Sequence, residues 1–143
     1  MQTKIKYGLA VALLGAVMAS PVGAETIHFV AHLTPQQEVP AVKSRGMGEA
    51  KMVFDTANDQ LTWHVAYKDL TGPVTAAHFH GPAMRGEKAG VAVGFKGSMD
   101  NPIQGSAMLN ATQVSELFSG KWYVNLHTAQ YPAGEIRGQV EQR

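Results

Sequence analysis

His78 and His80 flank Phe79 in the run Ala77-His-Phe-His-Gly81, and this H-x-H pair is the feature of the chain with the clearest chemical use. On a β-strand both imidazoles project from one face about 6.5–7 Å apart, because each residue advances the strand by roughly 3.3 Å. Rings at that spacing can turn onto one ion at metal–nitrogen distances of about 2 Å. A third histidine from a neighbouring strand would complete a three-nitrogen site with an open position. The same pair could instead be surface residues of an edge strand that hydrogen-bond a loop. The chain has 6 histidines and no cysteine, which excludes thiolate sites and a blue-copper centre. A type-2-like Cu(II) site is the natural reading of such ligands, and zinc would accept them too. Met84, just after the pair, offers a soft thioether suited to Cu(I). No G-x-S-x-G elbow or comparable nucleophile motif occurs, so hydrolase chemistry has no support.

The elements that must carry these residues read as strands. Ile27, Phe29, Ala31 and Leu33 alternate with His28, Val30 and His32, a period of two. A long polar connection, 35–46, contains Glu38-Val39-Pro40, and a second strand follows over 49–55, ending in the turn Asn58-Asp59. Leu61, Trp63, Val65 and Tyr67 then form one face of a third strand, with His64 on the other. The turn Leu70-Thr-Gly-Pro73 returns the chain along 74–80. Pairing these two as a hairpin with Trp63 opposite Phe79 keeps core with core, and sets His64 opposite His78 as a candidate fourth ligand. Residues 81–90 read as a loop, 91–95 as a short strand and 97–107 as loosely patterned. The one helix candidate spans 111–119, with Asn110 or Thr112 as N-cap, Val114, Leu117 and Phe118 as its buried side and Gly120 as its stop.

The closing hairpin is the best defined. Trp122, Val124 and Leu126 alternate with Tyr123, Asn125 and His127; Ile136, Gly138 and Val140 alternate with Glu135, Arg137 and Gln139. Matching Val124 with Gly138 unites the apolar sets, and sets His127 opposite Glu135 and Asn125 opposite Arg137 on the outer face. His127 can simply bond Glu135 there, or be a metal ligand oriented by that carboxylate. Arg137 can join exposed ion pairs with Lys68 or Glu38, worth little, or draw small anions to an open metal position. His28 and His32 lie about 13 Å apart along their strand and read as solvated. Some seven or eight short strands with one helix imply an all-β, antiparallel Greek-key sandwich or flattened barrel.

The amino terminus predicts export. Lys4 and Lys6 precede the apolar run Leu9–Met18, which ends near Val22-Gly-Ala24, the pattern of a signal peptide cleaved after Ala24. That run is shorter than the roughly 20 residues a membrane span requires, and no later run is apolar enough to span. The expected mature domain is 25–143, periplasmic or secreted. Of 12 basic residues two lie in the leader, so the remainder nearly balances the 11 acidic ones. Near-neutral charge argues against nucleic acid or an anionic membrane as the main partner.

Three segments carry a family resemblance. Phe29-Val-Ala-His-Leu-Thr-Pro-Gln-Gln-Glu-Val-Pro40 resembles the opening motif of CHRD (chordin) domains. Leu70-Thr-Gly-Pro-Val-Thr-Ala-Ala-His-Phe-His-Gly-Pro-Ala83 is similar to their central motif, and Trp122-Tyr-Val-Asn-Leu-His-Thr128 with Tyr131-Pro-Ala-Gly-Glu-Ile-Arg-Gly-Gln139 to their closing one. Single-domain exported bacterial members of that family are common. The central motif is also distantly similar to the copper-ligand strand of Cu/Zn superoxide dismutase, a Greek-key sandwich with copper on its outside. That analogy implies His78 and His80 as the paired copper histidines and His127 as the last one. The zinc loop has no counterpart, since 81–90 lacks His and Asp, and the bridging histidine and disulfide cysteines are missing. Any site would therefore be mononuclear. The expectation is a copper-binding envelope protein. The alternatives are a copper-only dismutase-like enzyme and an interaction module for an envelope partner, with structural histidines.

Overall fold

The computed structural model describes residues 23–143; the expected signal peptide lies almost wholly outside them. Nine strands are present among the described residues: β1 Thr26–Leu33, β2 Met47–Asp55, β3 Gln60–Lys68, β4 Val74–His80, β5 Val91–Gly94, β6 Ile103–Met108, β7 Tyr123–Thr128, β8 Ile136–Gln139 and β9 Glu141–Gln142. One helix, α1, spans Ala111–Phe118. The strands form two sheets, ordered β6-β3-β2-β1-β9 and β5-β4-β7-β8. The ladders between neighbours are antiparallel. After β4 and β5 the chain returns to place β6 beside β3, a Greek-key crossing. The sheets stay separate, a sandwich and not a closed barrel, joined at one corner by a bridge between Thr34 and Arg137. No helix among the described residues is long and apolar enough to cross a membrane.

Alternation dictates what each strand buries. Leu61, Trp63 and Val65 of β3 are buried while Thr62, His64 and Ala66 are exposed, as a period of two requires. Their partners across the interior are Phe79, Phe95, Trp122, Val124 and Leu126. Each such side chain contributes about 1.5–3 kcal/mol on leaving water. Two glycines are fixed by close approach. A Cβ at Gly138 would lie 2.3 Å from the carbonyl oxygen of His32, and one at Gly105 2.6 Å from the Trp63 ring.

The structure corrects the sequence-based pairing of β3 with β4. Those strands belong to different sheets, and Trp63 meets Phe79 across the core, edge to face with ring centroids 5.2 Å apart. The reason is burial: each strand has an apolar face, and opposing sheets cover both faces where a flat hairpin would cover neither. His64 therefore sits on the outer surface of the other sheet, paired with Lys51 and Gln104, and is not opposite His78. The expected loose segment contains β6, whose alternation is faint because Ile103 alone is fully buried along it. Asn110 caps the helix, accepting from the Gln113 amide at Oδ1 while its own amide donates to Gln113 Oε1, a capping box. Leu117 is buried; Phe118 is 40% exposed, with its ring packed edge-on against Phe29 and Phe54.

The β7–β8 register matches the expected one, with Val124 opposite Gly138 and Asn125 opposite Arg137. The expected open outer face is corrected. Asn125, Glu135 and Arg137 are buried, and the polar connection after β1 lies over part of this face: its Glu38 reaches Asn125 and its Ser44 reaches Glu135.

Candidate metal centre

Two strands bring the histidines together. His78 and His80 share the outer face of β4, and the β4–β7 ladder sets Ala76 opposite His127 and His78 opposite Asn125. His127 is thus the diagonal neighbour of His78. Ring centroids are 4.9 Å apart for His78 and His127, 5.3 Å for His78 and His80, and 6.3 Å for His80 and His127. One nitrogen from each ring lies within 4.8 Å of the other two. Donors on one ion at about 2 Å sit roughly 3–4 Å apart, so the widest pair must close by about 1 Å. His78 Nδ1 and His127 Nε2 are hydrogen-bonded to each other at 3.1 Å, a bond that an ion shared by the two rings would replace.

Main-chain carbonyls orient two of the rings. His80 Nδ1 lies 3.0 Å from Ala89 O, and His127 Nδ1 2.9 Å from Pro132 O. A carbonyl only accepts, so each Nδ1 carries the proton and each Nε2 the lone pair, a tautomer assigned from the hydrogen bond. His80 Nε2 is buried and has no hydrogen-bond partner. Burial holds His78 below the ordinary histidine range, helped by repulsion from His127 and His80. Burial also lowers His80, against the opposing pull of the Ala89 carbonyl. A neutral imidazole with a free nitrogen lone pair is in the form that could hold a metal ion, and the three rings lie close enough together to hold one.

The surroundings hold that arrangement. Tyr123 stacks on His80 with ring centroids 4.9 Å apart and planes 4° from parallel. Its hydroxyl bonds the amide and carbonyl of Ala89, each at 3.2 Å, so the residue that orients His80 is itself tied to the ring beneath it. The Arg137 guanidinium lies 3.5 Å from the centre of the same tyrosine ring, a cation–π contact. Asn125 donates to Glu38 Oε1, and to Ile136 O at 3.1 Å. Burial pushes the Glu38 carboxyl up to about 7, against the lowering effects of Asn125, Arg137 and Lys88.

Glu135 is not the partner of His127; Pro132 O is. The Glu135 carboxylate takes Ser44 Oγ at 2.5 Å, Thr71 Oγ1 at 2.7 Å, Thr71 N at 3.0 Å and Thr128 Oγ1 at 2.6 Å. Burial alone would raise it, but those donors prevail and hold it below the usual carboxylate range. It staples the 34–46 connection and the turn before β4 to the strand that carries His127. Met84 is 52% exposed on the 81–90 loop, where its amide donates to Glu87 Oε2. The structure leaves His64 on the opposite sheet, and His28 and His32 exposed on β1, where His32 faces Glu49 at 3.5 Å. The sequence carries no signal that marks Ala89, Pro132, Tyr123 and Glu38 as the groups around the rings. Two of them act through main-chain carbonyls, which no residue type reveals.

The three motifs converge here: the central one supplies His78 and His80, the closing one His127 and Tyr123, and the opening one Glu38. The CHRD domain family matches the chain over residues 29–140. No curated protein and no solved structure matches it. The family match runs from Phe29 in β1 to Val140 after β8, taking in both sheets and the histidine cluster, and the chain belongs to the CHRD-domain family.

Proposed function

We propose that this chain is an exported metal-binding protein that holds copper on His78, His80 and His127 and serves copper sequestration or delivery in the periplasm. The observation that carries the reading is the convergence of three imidazoles, two of them with Nδ1 tied to carbonyls and one of those two, His80, with a buried, unpartnered Nε2. The buried, unpartnered Nε2 of His80 carries a desolvation cost that a bound cation would offset. An all-nitrogen, thiol-free set favours Cu(II) over other divalent ions by the general affinity order. Zinc is the competitor, since it takes the same donors.

The test is Cu(II) titration of chelator-treated protein spanning 25–143, read by calorimetry and electron paramagnetic resonance. One tight equivalent with a type-2 signal and nitrogen hyperfine structure is expected, absent from the His78→Ala/His80→Ala double variant. Weak superstoichiometric binding that survives the double change overturns the reading. Tighter zinc than copper binding overturns the copper assignment alone. Export is tested by the mass of the protein recovered from the periplasm, which is expected to begin at Glu25.

A further inference from the structure

Arg137 is the buried charge that the histidine cluster leaves unused. The residue is 3% exposed, yet among the described residues it joins none of the ion pairs, which are His32–Glu49, Lys51–Glu49 and Arg85–Glu141. Its one side-chain hydrogen bond is a 3.5 Å contact to Met84 O. A guanidinium offers five N–H donors in a planar fork, and those of Arg137 that lack a protein acceptor are not sealed in the interior, so they are open to water or a ligand. Glu38 lies close enough to act on it electrostatically, but Glu38 Oε1 is taken by Asn125. Because burial brings Glu38 to about 7, its charge is only partly present at neutral pH.

Arg137 faces a cavity of about 160 Å³ that it lines with Lys88, Asn125, Glu38, Tyr123 and His80. At about 30 Å³ per water this has room for roughly five waters, or for one small planar anion. We propose that the cavity is an anion subsite in which Arg137 grips a carboxylate group through parallel N–H···O bonds and Lys88 closes over it. A guanidinium fork matches a carboxylate in shape. Two cations opposed by a partly ionised Glu38 leave between one and two positive charges, so the cavity attracts anions. The subsite stands on Arg137 and the cavity, with or without an ion on the histidines. Its wall includes His80, so the bound group lies on the flank of the metal centre. The carboxylate can belong to a small free acid or to the C-terminus of a partner chain.

The test uses metal-free protein, titrated with acetate at constant ionic strength against a chloride control, and read by ¹H–¹⁵N shifts of Asn125 and Arg137. A short peptide is titrated in parallel, with its C-terminus free or amidated. Saturable shifts are expected, weakened at least tenfold by Arg137→Lys and severalfold by Lys88→Ala. Saturation by acetate identifies a small acid; saturation by the free-terminus peptide alone identifies a partner's terminus. Lys88 is exposed, so Lys88→Ala remains folded even if Arg137→Lys does not. No saturation by any of these probes, or affinity undiminished in Lys88→Ala, overturns the proposal. Copper titration of the same sample separates the two readings: lost copper binding with intact acetate binding removes only the metal centre, and the reverse removes only the subsite.

Discussion

At the scale of single residues, the site's polar groups differ in how they are satisfied, and their variants should differ accordingly. Glu135 is fully buried and accepts from three residues on three segments. Glu135→Ala strands those donors and is expected to cost about 3 kcal/mol, read as a lower denaturant midpoint. Glu135→Gln keeps one acceptor and should cost clearly less; equal losses would mean that the hydrogen bonds are not the source. Glu38 carries a pH signature. Its folded value of about 7 exceeds the ordinary 4.5, so its contribution is fully present below 4.5 and lost as pH rises through 7. His78 and His80 are shifted down, so their contribution is present above the ordinary histidine value and lost as pH falls. The two slopes oppose, and subtracting a Glu38→Gln variant isolates the carboxyl. The stability of wild type relative to that variant should fall between pH 4.5 and 7; a flat difference would place Glu38 in water.

At the scale of elements, register decides the site. One residue of slip between β4 and β7 would turn His127 into the core and Leu126 out. The pairing is held by Phe79 opposite Val124 and Ala77 opposite Leu126 on the buried face. Gly138 protects the other side of β7, because a side chain there meets main chain that cannot swing away. Gly138→Ala is expected to lower Tm by about 8 °C or more, given about 4 °C per kcal/mol for a domain of this size, and to weaken copper binding with it. Asn110→Ala, which breaks the capping box of α1, should cost about 1 kcal/mol. It should leave copper affinity unchanged, because no hydrogen bond of the helix ends on the histidine rings. The β7–β8 register was legible in the sequence because both strands alternate cleanly about a two-sided pattern. The β3–β4 relation was not, because two strands with one apolar face each satisfy the same pattern as a hairpin or as opposing layers.

For the whole molecule, a ligand that binds the folded state alone must stabilise it. Copper at 100 times its dissociation constant should add about 2.7 kcal/mol, a Tm rise of about 10 °C that a chelator reverses and His127→Ala abolishes. An unchanged Tm in wild type would leave the histidines a structural role. What the sequence determined by itself was local or compositional: the all-β class from period-two alternation, the helix from Asn110 to Gly120, the absence of thiolate ligands, and the H-x-H pair on one face of a strand. Its motifs also carried the family and, by resemblance, the third histidine. Only the tertiary structure decided which sheet each strand joins, that His64 is remote, that Asn125, Glu135 and Arg137 are buried, and that the 34–46 connection reaches the first two through Glu38 and Ser44. It also supplied the Ala89 and Pro132 carbonyls that aim the rings. Periodicity reports which face a residue lies on, whereas what covers that face is set by contacts between residues such as Glu38 and Asn125, 87 positions apart, and by main-chain atoms that every residue shares.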